Sequence, residues 1–79
     1  MEEDIINKLQ NIVFLIKTNG YVELSEKLSD AIHCSTTGTE LLMESRYYLQ
    51  LYLEENINIS NEDHNLIKKI IFELNTMLE

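Results

Sequence analysis

Three observations predict an all-α fold, a compact bundle of four helices. The chain has no proline and only two glycines, and its apolar residues recur at three- and four-residue spacing instead of alternating. The helices are expected at about 4–18, 22–34, 39–55 and 61–78, joined by short loops. Seventy-nine residues hold one hydrophobic core, so residues 1–79 form a single helical domain. Ordering such a chain costs on the order of 100 kcal/mol of conformational entropy. Most of the 44% of residues that are apolar must therefore be buried.

Helix one places Ile5, Ile6, Leu9, Ile12, Val13 and Ile16 on one stripe, and Asn19-Gly20 tolerates the left-handed stop that ends it. Helix two gathers Tyr21, Leu24, Leu28, Ala31 and Ile32 and turns Glu23, Glu26, Lys27 and Asp30 to water. The connection between them is so short that they form an antiparallel hairpin. Ser35-Thr36-Thr37-Gly38-Thr39 is rich in turn and cap formers, with Thr39 expected to cap helix three. Ser60 caps helix four, whose first turn, Asn61-Glu62-Asp63, carries the negative charge that a helix N-terminus favours. Leu66, Ile67, Ile70, Ile71, Leu74, Met77 and Leu78 then share one arc, and Ile57 and Ile59 are expected to close one end of the bundle.

Fourteen Asp and Glu against six Lys and Arg give a formal charge of −8. That disfavours DNA, RNA and anionic membranes, since affinity for a phosphate backbone comes from basic side chains displacing counterions. It suits a basic protein surface, and it is equally an ordinary route to solubility. Cys34 is the only cysteine, so no intramolecular disulfide forms and a reducing cytoplasm is the expected setting. Met1-Glu2-Glu3-Asp4 is acidic where a signal peptide is basic, and the apolar run 12–16 is too short to span a bilayer.

No enzyme chemistry is expected. His33-Cys34 and Glu62-Asp63-His64 are the only clusters of metal-ligand types, and adjacent helical residues point about 100° apart, whereas a helical metal site needs ligands three or four residues apart. A Cys34 or Ser nucleophile with His33 or His64 has no supporting local signature. Gly20 and Gly38 are isolated, so no phosphate loop exists. No catalytic residue, metal or cofactor follows from these patterns.

Helix three differs from the others in showing two apolar faces. Leu41, Leu42, Tyr48, Leu49, Tyr52 and Leu53 form a core arc around the small Ser45. Nearly opposite lie Met43, Tyr47 and Leu51, bordered by Glu40, Glu44, Gln50 and Glu54. This stripe either packs on a second helix or is an exposed anchor for a protein partner, since aromatic residues and Met concentrate at interface centres and polar groups at their rims. Phe72, beside Lys68 and Lys69, and Phe14 also leave the stripes of their own helices, to pack on neighbours or to extend such a surface.

Gly38-Thr39-Glu40-Leu41-Leu42-Met43 followed by Arg46-Tyr47-Tyr48-Leu49 resembles the central helix of small all-helical immunity proteins from bacterial polymorphic-toxin and contact-dependent growth inhibition systems. The resemblance implies a cytoplasmic protein that binds and neutralises one cognate toxin, often a basic nuclease domain. Glu40, Glu44 and Glu54 would then pair with toxin Lys or Arg, while Met43 and Tyr47 supply the desolvated anchor. Two alternatives from other classes stay open: a regulatory or adaptor module, as a monomer or a homodimer, and an acidic mimic of nucleic acid.

Overall fold

In a computed structural model of the chain, residues 2–34 and 37–79 are described, with side chains from residue 5 onward. They form four helices and no strand: α1 (Glu2–Thr18), α2 (Val22–Cys34), α3 (Gly38–Glu55) and α4 (Asn61–Leu78). Helices adjacent in sequence pack most closely, while α1 and α4, which close the bundle, approach each other less. Across that more open seam Lys8 Nζ donates to Glu73 Oε1 at 2.6 Å. No helix among the described residues is long and apolar enough to cross a membrane.

The turn between α1 and α2 forms as Asn19-Gly20 predicts. Gly20 adopts φ +96, the left-handed conformation that only glycine takes cheaply. The Tyr21 amide bonds Ile16 O and the Gly20 amide bonds Lys17 O. These two bonds are the pattern of a Schellman stop, and they satisfy carbonyls that the helix end would otherwise orphan. No atom stands within 4 Å of where a Gly20 Cβ would sit, so backbone conformation alone demands the glycine.

Several details depart from the sequence expectations. α1 starts at Glu2 instead of residue 4. Thr37, not Thr39, caps α3: its backbone is extended and its Oγ1 accepts from the Glu40 amide at 3.0 Å. Gly38 joins the helix as its first residue, so Thr39 already lies inside the first turn. The Ser35-Thr36 part of the expected turn lies outside the described residues. Ser60 caps α4 as expected, accepting from the Asp63 amide.

The core takes Ile5, Leu9, Ile12 and Ile16 from α1, Leu24, Leu28 and Ala31 from α2, Leu49 and Tyr52 from α3, and Ile67, Ile70 and Leu74 from α4. Ile59 packs against it, but Ile57 is 85% exposed at the tip of the α3–α4 turn and closes nothing. Leu66 is also exposed. Arg46 Nη1 donates to Asn75 Oδ1 at 2.8 Å, a side-chain link between α3 and α4. Leu66 lies in the second turn of α4, near the end of the bundle that carries the α3–α4 turn.

Two polar side chains inside the bundle behave oppositely. Tyr52 is fully buried, and its hydroxyl accepts from Asn19 Nδ2 at 3.0 Å and from Asn56 Nδ2 at 2.9 Å. Tyr21 meets its ring edge-on with centroids 5.2 Å apart, and Tyr21 donates to Glu55 O. Ser45 Oγ is fully buried with no hydrogen-bond partner among the described residues. A serine there leaves space where a larger side chain would push the helices apart, at the cost of an unsatisfied hydroxyl.

Two stability measurements check this account by urea and thermal denaturation. Tyr52→Phe keeps the ring but removes the acceptor of two asparagines, and is expected to destabilise by about 1–2 kcal/mol; a neutral result would mean that the hydroxyl bonds do not hold the turns. Ser45→Ala removes the unsatisfied group and raises helix propensity, and is expected to stabilise by about 1 kcal/mol. A loss of stability there would show that Ser45 has a hydrogen bond in solution.

Candidate functional site

α3 sets the site through its phase. With Ser45, Leu49 and Tyr52 facing inward, the opposite side of the helix carries Glu40, Met43, Tyr47, Gln50 and Glu54, all exposed. Met43 is 50% exposed and Tyr47 59%. The stripe is thus not a second core contact at these two positions. Tyr47 packs edgewise on Tyr48, with ring centroids 5.3 Å apart and planes at 65°. Tyr48 is itself half-buried against the core and supports the exposed ring.

The third member of the expected stripe does not share this exposure. Leu51 is half-buried against the core, beside a shallow crevice between α2 and α3 shared with Tyr21, Leu24 and Lys27. Residues four apart on an α-helix advance by about 400°, so each step from Met43 to Tyr47 to Leu51 turns the side chain a further 40° or so around the axis. Over two steps that drift carries Leu51 from the outer face to the α2 side.

Glu44 drifts the same way. It is half-buried and, with Glu40, Tyr48 and the α2 residues Lys27, Asp30, Ala31 and Cys34, lines a crevice of about 210 Å³. Asp30 thereby joins the acidic border of α3 from a second helix, an extension the sequence expectations missed. Its signal was present in the pattern: a short α1–α2 hairpin followed by α3 makes α2 a neighbour of α3, and Asp30 is one of the charged residues on the water-facing side of α2. On α3 itself the only cation is Arg46, and it is engaged with Asn75.

The remaining candidates are dispersed. His33 Nδ1 bonds Ser29 O at 2.9 Å, one turn back along its own helix, and Cys34 is exposed at the end of α2. Among the described residues no three His, Cys, Asp or Glu side chains converge to hold a metal ion. A cleft of about 370 Å³ between α1, α3 and the end of α4 is lined by Ile5, Ile6, Gly38, Thr39, Leu41, Leu42 and Met77. Among the described residues that lining contains no ionisable side chain. Phe14 and Phe72 are each 72% exposed, Phe72 lying opposite the core arc of α4 beside the exposed Lys68 and Lys69.

No protein-family model matches the chain, and no curated protein or solved structure matches it significantly.

Because Met43 and Tyr47 stand mostly in solvent, truncating either should leave the isolated domain folded. Met43→Ala and Tyr47→Ala are each expected to change unfolding free energy by less than about 1 kcal/mol, the range of surface substitutions. A loss of about 3 kcal/mol or more, as for a core aromatic, would return the stripe to the core.

Proposed function

We propose that this chain is an immunity protein that binds and neutralises a cognate bacterial toxin domain through the outer face of α3. The observation that carries the reading is the pairing of an exposed Tyr47–Met43 patch with a border of Glu40, Glu44 and Glu54 on a chain of formal charge −8. A 79-residue domain has little apolar surface to spare, and a tyrosine propped against its neighbour has the character of an interface anchor. The resemblance of the α3 segment to immunity-protein helices points the same way.

The two parts of the surface have different roles under this reading. The carboxylates attract a basic domain and orient it as it approaches, over a range of about 8–10 Å at physiological ionic strength. Tyr47 and Met43 are then desolvated against the partner and set how slowly it leaves. The partner accordingly carries Lys or Arg around an apolar recess, as a nuclease domain does near its substrate channel.

Co-expression with the toxin domain encoded by the neighbouring reading frame tests the proposal. The intact chain is expected to restore growth, and Tyr47→Ala combined with Glu44→Lys to abolish rescue while helical circular dichroism persists. Rescue by the double variant would move the contact off α3. A chain that neither rescues growth nor binds the neighbouring domain would remove the immunity reading altogether.

A further inference from the structure

The contacts between helices fix which way the outer side chains of α3 and α4 point. On α3, Arg46 reaches Asn75 of α4, while Glu44 lines the crevice shared with α2. On α4, Asn75 faces α3 and Glu73 pairs with Lys8 of α1. Adjacent residues of a helix point about 100° apart, and residues three apart point about 60° apart. Met43, three before Arg46 and one before Glu44, therefore lies on the outer arc of α3, about 60° from the flank that meets α4. Phe72, three before Asn75 and one before Glu73, lies on the outer arc of α4, about 60° from the flank that meets α3. Both residues lean toward the shared seam, and both are exposed.

We propose that one protein partner covers Phe72 together with Met43 and Tyr47, and that it carries carboxylates where it meets Lys68 and Lys69. The binding surface then continues from α3 onto α4. For the identity of the partner this rests on the immunity reading. Size argues for the extension, since a standard interface covers roughly 800 Å² per partner, a patch on the order of 30 Å across, whereas one helix is about 10 Å wide. A partner seated on Met43 and Tyr47 must therefore also cover a neighbour of α3. Of the two neighbours, α2 turns Glu23, Glu26 and Asp30 outward, while α4 turns out the aromatic Phe72, at 72% exposure. Phe14 is equally exposed but stands outside this surface. It lies two residues from each of the buried Ile12 and Ile16, so it points away from the core on α1, which is not one of the two helices packed on α3.

Charge gives this surface a direction. Glu40 and Glu44, with Asp30, form an acidic rim on the α2 side of α3. Lys68 and Lys69, four and three residues before Phe72, straddle it at about 40° and 60° on either side. Both lysines are exposed, and neither has a hydrogen bond or ion pair among the described residues. An apolar centre thus lies between a negative rim and a positive one. A uniformly basic partner would be repelled at α4, whereas one with Lys or Arg toward α2 and Asp or Glu toward α4 is attracted at both rims, in a single orientation.

Titration calorimetry against the toxin domain encoded by the neighbouring reading frame tests the proposal, with circular dichroism to check that each variant is folded. Phe72→Ser is expected to weaken binding by about tenfold or more, as Tyr47→Ala does, whereas Phe14→Ser leaves it within about twofold. Lys68→Glu with Lys69→Glu is also expected to weaken binding by about tenfold or more, although it makes the chain more acidic. A uniformly basic partner would instead hold that variant more tightly. Tighter binding by the lysine variant, or natural affinity in Phe72→Ser beside weakened binding in Tyr47→Ala, would overturn the α4 extension and leave the α3 site in place. A natural chain that does not bind the domain would remove both.

Discussion

The hydroxyl of Tyr52 is the constraint on which the rest of the bundle depends. A phenol placed at zero exposure must find hydrogen-bond partners or lose much of the benefit of burying its ring. It finds them in Asn19, from the α1–α2 turn, and Asn56, the C-cap of α3. Both asparagines reach it only if the two turns lie at the same end of the molecule and α3 is rotated to aim position 52 inward. Height and phase of α3 are thereby set together, and Tyr21, edge-on to the same ring, ties in the start of α2.

Once the phase of α3 is set, its surface follows. Ser45 and Leu49 turn inward with Tyr52, and the opposite side has no helix to meet, because α2 and α4 already occupy the flanks of α3. Met43 and Tyr47 therefore remain in water, while Leu51, rotated further by the helical repeat, reaches α2. Charge is distributed unevenly on this frame. Carboxylates border the outer face of α3 and continue through Asp30 on α2, whereas Lys68 and Lys69 flank Phe72 on α4.

Much of the fold was legible because its signals are local. The number of helices, the Gly20 stop and the Ser60 cap follow from spacing and from the conformations that particular residues tolerate. Most inward positions of the helices also follow from the helical period; the exceptions are Leu66, which is exposed, and Ser25, a polar residue that is buried in α2. Errors arose where two local options were close in energy or where coverage came from elsewhere. Thr37 and Thr39 are both competent caps, and the choice turned on whether Gly38 entered the helix. Ile57, in the α3–α4 turn, and Leu66, in the second turn of α4, are apolar residues whose hydrophobicity alone does not tell whether a neighbour extends far enough to cover them.

By itself, then, the sequence determined four amphipathic helices, an acidic chain and a third helix with apolar residues on two sides. Tertiary structure alone decided that Met43 and Tyr47 face solvent, that Leu51 does not, and that Asp30 stands beside Glu40 and Glu44. The physical reason is the difference between an angle and a neighbour. Helical periodicity assigns each residue a direction from local geometry, but whether anything lies in that direction depends on how contacts such as those of Tyr52 with Asn19 and Arg46 with Asn75 place the other helices.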